Sequence, residues 1–440
     1  MRSFKIINVF KTVLFMTVLS LLIEVCNFTS IPPQSYTRIM MHEMYGQREN
    51  IDVVFLGASH AYRSFDTRIL DEQLGMNTFN MGSSSQSVKD SYFLLREMYS
   101  HHLPRYCILE MSWARYNIYD FSSNATSSYI LYDYFRPSVN KLYYFFSAFN
   151  EQTAINAVLP FRRYPITAPS KYLENIKAKM TKEYFGCSYS VAAYDNEHYA
   201  GKGYVYRNKG FSRGNVGKVE PYTWSNLNIN NEAVYYFDKI YKLCEENGTE
   251  LILVTAPVPL ASVAAVGNYQ EAHEFLDSLA EKYGLVHYDF NLAKKALFEN
   301  RDEYFYDSGH MSGLGANVFS NKVAGILLSH IKDIDDLNEF FYSDTNELMA
   351  SVDYVLNVWA ESREGKLNAY SFHGTDVKPE YEFLYRTKES DKYAVIKAYS
   401  SIDHIYFDLI PADAYEVRVN ARAGGSSGAF EQYYIYRLDN

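Results

Sequence analysis

Residues 51–60 read Ile-Asp-Val-Val-Phe-Leu-Gly-Ala-Ser-His. The first six form a nearly continuous apolar run, the texture of a strand buried on both faces of a parallel sheet. The run stops at Gly57, and Ser59 follows on a tight turn. A serine placed there presents its hydroxyl and leaves its backbone N–H free, and a nucleophile needs both. Outward from this stretch, Asp66 reads as a helix N-cap, Ile69, Leu70 and Leu74 give a helical stripe, and Gly75 closes it. Asn77–Met81 is a second short strand ending at Gly82, Val88, Tyr92, Leu95 and Tyr99 are spaced for a helix, and Tyr106–Met111 is a third strand. Strand–helix–strand–helix–strand is half of a parallel α/β sheet.

The rhythm breaks over residues 112–230, which are aromatic-rich (Tyr143-Tyr144-Phe145-Phe146) and without a clear period, and read as an insertion or lid. It resumes with a helix over Glu232–Glu246 stopped by Asn247-Gly248, a strand Glu250–Thr255, a helix Tyr269–Tyr283 capped by Gly284, a fifth short strand Leu285–Asp289 and a last helix Leu314–Ile331. From about Ser343 the texture changes to short alternating or aromatic runs, Lys392–Tyr399, His404–Ile410, Tyr415–Asn420 and Tyr433–Leu438, with the turn Gly424–Gly428 among them. That predicts a small antiparallel β-domain. The expected organisation is an anchor over 1–30, an α/β domain over 31–342 with its insertion at about 112–230, and a mainly β domain over 343–440.

Composition narrows the function. Hydrophobic residues make up 48% and charged residues 21% of 440 residues, which excludes a disordered chain, and 12 Pro with 22 Gly exclude a collagen-like one. A net charge of −10 argues against nucleic acid as a partner. Tyrosine stands out, 42 against 3 Trp; such rings suit a wet, sugar-facing surface, and equally ordinary packing. The 4 cysteines, Cys26, Cys107, Cys187 and Cys244, form no C-x-x-C or zinc spacing, and Cys107 and Cys244 read as small buried hydrophobes.

Arg2, Lys5 and Lys11 precede an apolar run from Thr12 to Ile23 that continues past Glu24 to Phe28. Ile6–Val25 spans a membrane if Lys11 and Glu24 snorkel to the two interfaces. No small-x-small cleavage site follows, so the expectation is an uncleaved single-pass anchor, with a cleaved export signal as the alternative. Basic residues before the span put the bulk of the chain outside the cytoplasm. Leu251–Gln270 is also long and uncharged, but Pro257, Pro259 and Gly267 interrupt it.

The residues with chemistry fall in three loops at strand ends, where open α/β sheets place their ligands. The first is Gly57-Ala58-Ser59-His60. The second is Asn80-Met81-Gly82-Ser83-Ser84-Ser85-Gln86-Ser87, a helix start whose backbone N–H groups could face an oxyanion, or simply a serine-rich cap. The third is Tyr306-Asp307-Ser308-Gly309-His310-Met311-Ser312, where an Asp three residues before a His can fix its tautomer. Alone, that third loop reads equally as a capped turn or half of a metal site. No other ligands stand at metal spacing, so no metal and no dissociable cofactor are expected.

Together, a Ser after the first strand and Asp-x-x-His before the last helix resemble the SGNH/GDSL hydrolase superfamily. The resemblance covers about residues 51–111 and 230–331 and implies a flavodoxin-like parallel sheet. It makes Ser59 the nucleophile, His310 the base and Asp307 its orienter, and it makes the N–H groups of Ser59 and Gly82 oxyanion donors. Met311-Ser312 and Gly315-Ala316-Asn317 fit the family's run into its last helix. Ala58 stands where the family usually has Asp. The family's third-block Asn is replaced by Glu110-Met111-Ser112-Trp113, so Gln86 or a backbone N–H is the expected substitute donor. The anchor and the missing Asn are similar to the anchored branch that includes DltD-like and AlgJ/AlgX-like proteins. That likeness implies acyl transfer to or from a cell-envelope polysaccharide or teichoic-acid-like polymer, with a membrane-bound O-acyltransferase as partner. The competing expectation is a non-catalytic partner of the same fold that binds the polymer or the acyltransferase.

Overall fold

The computed structural model describes residues 2–117, 125–164, 168–188, 197–333 and 337–438. The side chains of Arg2 and Lys5, and the stretches 118–124, 165–167 and 189–196 of the expected insertion, lie outside the described residues. In chain order the first strands are β1 (Val53–Leu56), β2 (Thr78–Asn80), β3 (Tyr106–Glu110), β4 (Glu197–Tyr199), β5 (Val205–Arg207), β6 (Glu250–Thr255) and β7 (His287–Asp289). Five of them form one sheet in the order β2-β1-β3-β6-β7, with every pair parallel.

Strand side chains alternate between two apolar layers. Val54, Leu56, Cys107, Leu109, Leu251 and Leu253 join the layer built with helices Val88–Tyr99, Asn231–Asn247 and Tyr269–Glu281. Val53, Phe55, Tyr106, Ile108, Ile252 and Val254 join the layer built with helices Thr67–Leu74 and Gly313–Ile331. The continuous apolar runs follow from this arrangement, because a strand covered by helices on both faces has no polar side. The result is the doubly wound α/β sandwich that the sequence predicts.

Local signals set the helix ends. Asp66 caps the N–H of Arg68, and Gly75 closes that helix in the left-handed conformation, φ +64°. Ser87 and Asp90 form a reciprocal capping box at the start of Val88–Tyr99. The fifth strand is shorter than expected, because the Leu285 N–H returns to the Ala280 carbonyl and closes the preceding helix instead of joining the sheet.

The insertion is more regular than its sequence suggests. It holds helices Thr126–Tyr132, Val139–Ala148, Ala154–Val158 and Pro169–Lys179 before the β4–β5 hairpin. Their shortness and aromatic content hide the 3.6-residue period. Tyr144 is buried, stacks on Phe93 at 4.7 Å and donates its hydroxyl to Asp90 at 2.5 Å, so helix Val139–Ala148 packs this ring against helix Val88–Tyr99. Of the described insertion, Arg115, the β4–β5 hairpin and the stretch after it, 209–217, approach the strand-end loops.

The C-terminal strands are β8 (Val355–Arg363), β9 (Lys366–His373), β10 (Pro379–Arg386), β11 (Ala394–Ser400), β12 (His404–Tyr406), β13 (Glu416–Ala423) and β14 (Gln432–Arg437). They form two antiparallel sheets, β11-β10-β13-β14 and β12-β9-β8, around Val358, Leu367, Phe383, Val417 and Val419. The sequence reading missed β8, β9 and β10. The expected strand His404–Ile410 ends at Tyr406, because Phe407–Leu409 turns as a 3-10 helix.

The N-terminal helix runs Arg2–Ser30, and within it Ile7–Ser30, 24 residues whose most apolar 18-residue window has a mean hydropathy of 2.0, is long and apolar enough to cross a membrane. Its far end is tied to the insertion, where Asn175 Nδ2 donates to the Thr29 carbonyl at 2.9 Å and Lys179 Nζ to the Phe28 carbonyl at 2.7 Å. The Leu251–Gln270 stretch is divided between β6 and two helices.

Candidate active site

Ser59 opens the six-residue helix Ser59–Ser64 directly after β1. The chain turns there at Gly57, with φ +152°, where an added Cβ would sit 2.8 Å from the Cβ atoms of both Ala61 and Glu110. Only glycine fits such a turn. At the first helical position the Ser59 N–H has no intrahelical acceptor, and among the described residues no hydrogen bond uses it.

Loop Tyr306–Ser312 supplies the partners. Asp307 Oδ1 accepts the backbone N–H of Gly309 at 2.8 Å and of His310 at 2.9 Å, which folds the loop around the carboxylate. The same carboxylate meets His310 Nδ1 at 2.9 and 3.0 Å. His310 Nε2 then lies 2.6 Å from Ser59 Oγ, across 251 residues of sequence. Ser59, His310 and Asp307 are thus brought together in the order the chemistry requires. Both ring nitrogens of His310 are engaged, Nδ1 by Asp307 and Nε2 by Ser59.

The electrostatics suit a neutral base beside an ionised carboxylate. Burial pushes the His310 imidazolium down; the Asp307 carboxylate opposes this, and electrostatic repulsion from His60 and Arg63 reinforces it, with the net direction below the ordinary histidine value. Burial would push Asp307 up, but the bond and charge of His310 and the two backbone N–H groups outweigh it and hold Asp307 below the ordinary carboxyl value.

Several residues that the sequence reading did not single out surround the triad. The His60 ring meets His310 edge-on at 5.3 Å, and its Nδ1 is 3.7 Å from Glu110 Oε1. Glu110 is fully buried and also takes Arg115 Nη2 at 3.0 Å. Glu110 therefore fills the place at the end of β3 where the resemblance expects a side-chain donor, and it can only accept while ionised. Burial pushes its carboxyl up, but Arg115 and His60 outweigh this and hold it below the ordinary range. Tyr306 lies nearly parallel to His310, at 8° and 5.5 Å. Arg207 and Arg63 stand over that tyrosine at 4.4 and 5.1 Å, and both pair with the buried Glu197 of β4. Nε and Nη1 of Arg63 are buried without a partner among the described residues. A cavity of about 410 Å³, lined by Arg207, Lys209, Phe211 and Tyr306 among others, opens beside them. His60 and Glu110 lie inside stretches already legible in the sequence; nothing local marks Glu197 or Arg207.

Two expected oxyanion donors are not available. The Gly82 N–H is taken by Asn80 Oδ1 at 2.9 Å. Gln86 is fully buried, with Oε1 accepting from Ser83 Oγ and Nε2 donating to Ser91 Oγ, both at 2.9 Å, so its amide braces the loop. Gly82 serves packing instead, since a Cβ there would lie 2.9 Å from the backbone nitrogen of Tyr62.

Comparison with known proteins finds structural likeness alone. No family model matches the chain, and no curated protein does. Among solved structures, a GDSL-like lipase from Bacteroides thetaiotaomicron is similar at 10% identity and a TM-score of 0.31, covering 68% of this chain and 97% of that one. A putative acylhydrolase from Bacteroides fragilis is similar at 11% identity and a TM-score of 0.33, covering 68% of this chain and 99% of that one. Likeness of this size does not bear on activity, which rests on the geometry of the site.

Proposed function

We propose that this chain is a serine acyltransferase or esterase of SGNH/GDSL type, held at the membrane by its N-terminal helix with its bulk outside the cytoplasm. In this reading Ser59 Oγ attacks an ester carbonyl, His310 Nε2 takes the hydroxyl proton, and Asp307 holds the ring and supports the imidazolium that forms. The Ser59 N–H faces the developing oxyanion. His310 returns the proton to the leaving oxygen. A sugar or polyol hydroxyl then resolves the acyl-enzyme in a transferase, and water does so in an esterase. The proposed substrates are O-acyl groups, acetyl or similar, on a cell-envelope polysaccharide or teichoic-acid-like polymer, with a membrane-bound O-acyltransferase as partner. The observation that carries the reading is the 2.6 Å approach of His310 Nε2 to Ser59 Oγ, with Asp307 on the other ring nitrogen.

One observation favours a second reading, a non-catalytic partner that binds the polymer or the acyltransferase: the Gly82 N–H and the Gln86 amide are both committed elsewhere. The deciding experiment compares envelope acylation in cells carrying wild type or Ser59→Ala at equal protein levels. Loss in the mutant supports the enzyme, and normal acylation supports the partner.

A further inference from the structure

Away from the triad, three side chains converge at the edge of the sheet. His273 and Asp277 are one turn apart on helix Tyr269–Glu281, and His287 begins β7. Asp277 Oδ2 lies 3.1 Å from His273 Nε2, and Asp277 Oδ1 lies 2.6 Å from His287 Nδ1. One ligand atom from each residue falls within 4.8 Å of the other two. Ligands sharing a tetrahedral zinc ion at about 2.0–2.1 Å stand roughly 3.4 Å apart, a separation inside the range this cluster spans.

The outward-facing nitrogens decide what the cluster can hold. His273 Nδ1 is 3.0 Å from the buried carboxylate of Asp289, which also takes the Tyr269 hydroxyl at 2.8 Å and the Asn291 N–H at 3.0 Å. Nδ1 of His273 therefore carries a proton and donates it. His287 Nε2 is 2.8 Å from Thr255 Oγ1, whose own proton goes to the Met111 carbonyl at 3.0 Å. Nε2 of His287 therefore donates too. The two remaining nitrogens both point at the Asp277 carboxylate: with a cation between them they are lone-pair ligands, and without one they carry protons that Asp277 accepts. Hydrogen bonds that fix the outer nitrogen and leave the inner one bare are how proteins orient histidine ligands for a metal.

We propose that His273 Nε2, His287 Nδ1 and Asp277 bind one zinc ion. The two imidazoles and the carboxylate leave a fourth position for water, on the side where Asp277 is 39% exposed. The ion clips helix Tyr269–Glu281 to edge strand β7, which has a sheet neighbour on one side only. Its role is structural, and it is independent of the triad.

The test uses the full-length, tag-free chain, stripped with a chelator and then given zinc chloride alone. One retained zinc per chain is expected, with a melting temperature that rises with zinc concentration. Cobalt in its place should give the intense visible bands of a tetrahedral ion. Asp277→Asn and His273→Gln should weaken zinc retention at least tenfold. Without a metal, the same geometry requires both rings to be imidazolium, each donating to Asp277. Wild-type protein that retains no zinc and melts at the same temperature with or without it overturns the proposal, whatever the variants do. Equal retention by wild type and Asp277→Asn overturns it as well.

Discussion

Asn80 Oδ1 accepts the Gly82 N–H at 2.9 Å, while Asn80 Nδ2 donates to the carbonyls of Ala61 at 2.9 Å and Phe65 at 3.2 Å. One fully buried amide thus ties the end of β2 to the helix that begins with Ser59. Asn80→Ala frees the Gly82 N–H but leaves the Phe65 carbonyl without its Asn80 donor, at about 1–3 kcal/mol when unpaired, while the Ala61 carbonyl keeps the Phe65 N–H. A lower melting temperature together with slower acylation of Ser59 is the expected result. If Asn80 only withheld an oxyanion donor, the variant would be faster, and single-turnover acylation by an activated ester distinguishes the two.

Ser59→Ala should abolish labelling by a serine-directed phosphonate and leave the fold intact, since it removes one hydroxyl from a helix start. His310→Ala should be nearly as damaging, about 10³-fold or more, because triad members act as a unit. Labelling of another serine at the wild-type rate in Ser59→Ala would refute the assignment.

The pH profile should show an acid limb below the ordinary histidine range. His310 must be neutral to take the Ser59 proton, and its ionisation is displaced downward, so activity falls only as pH drops through that lowered value. Electrostatic repulsion from His60 disfavours the His310 imidazolium. His60→Ala therefore raises the His310 value, and the acid limb of kcat/KM moves to higher pH. An unmoved or downward-shifted limb would show that His60 does not act on His310 through charge.

Arg63 and Glu197 are both buried, 4% and 2% exposed, and pair beside Tyr306. Glu197→Ala leaves the Arg63 charge without that partner, and breaking a buried pair from one side costs about 3–5 kcal/mol. Chemical denaturation of the Glu197→Ala protein should show a loss in this range, with a loosened Tyr306 and weaker acylation as consequences.

Protease added to intact spheroplasts should digest the portion beyond residue 30. The motivation is one apolar helix at the N-terminus, Ile7–Ser30, with basic residues on its near side. Full protection would reverse the proposed topology.

The strand at Val53–Leu56, the turn at Gly57, the caps at Asp66 and Ser87, and the three loops that carry Ser59, Gly82 and His310 were legible in the sequence. Each is a local matter of apolar runs, backbone freedom and short-range caps, and those signals lie within a few residues of one another. The C-terminal strands β8, β9 and β10 and the helices of the insertion were not, because short elements rich in aromatic residues show no clean period. Which groups were free to do chemistry was decided only in three dimensions. The Gly82 N–H and the Gln86 amide sit in the right loop but are consumed by Asn80 and Ser91, while His60 meets Glu110 only because β1 and β3 lie side by side. His273, Asp277 and His287 converge because helix Tyr269–Glu281 packs against β7, and Thr255 reaches His287 because β6 pairs with that strand. Sequence sets where a side chain hangs on its own element, whereas hydrogen-bond partners depend on the register and packing of elements far apart in the chain.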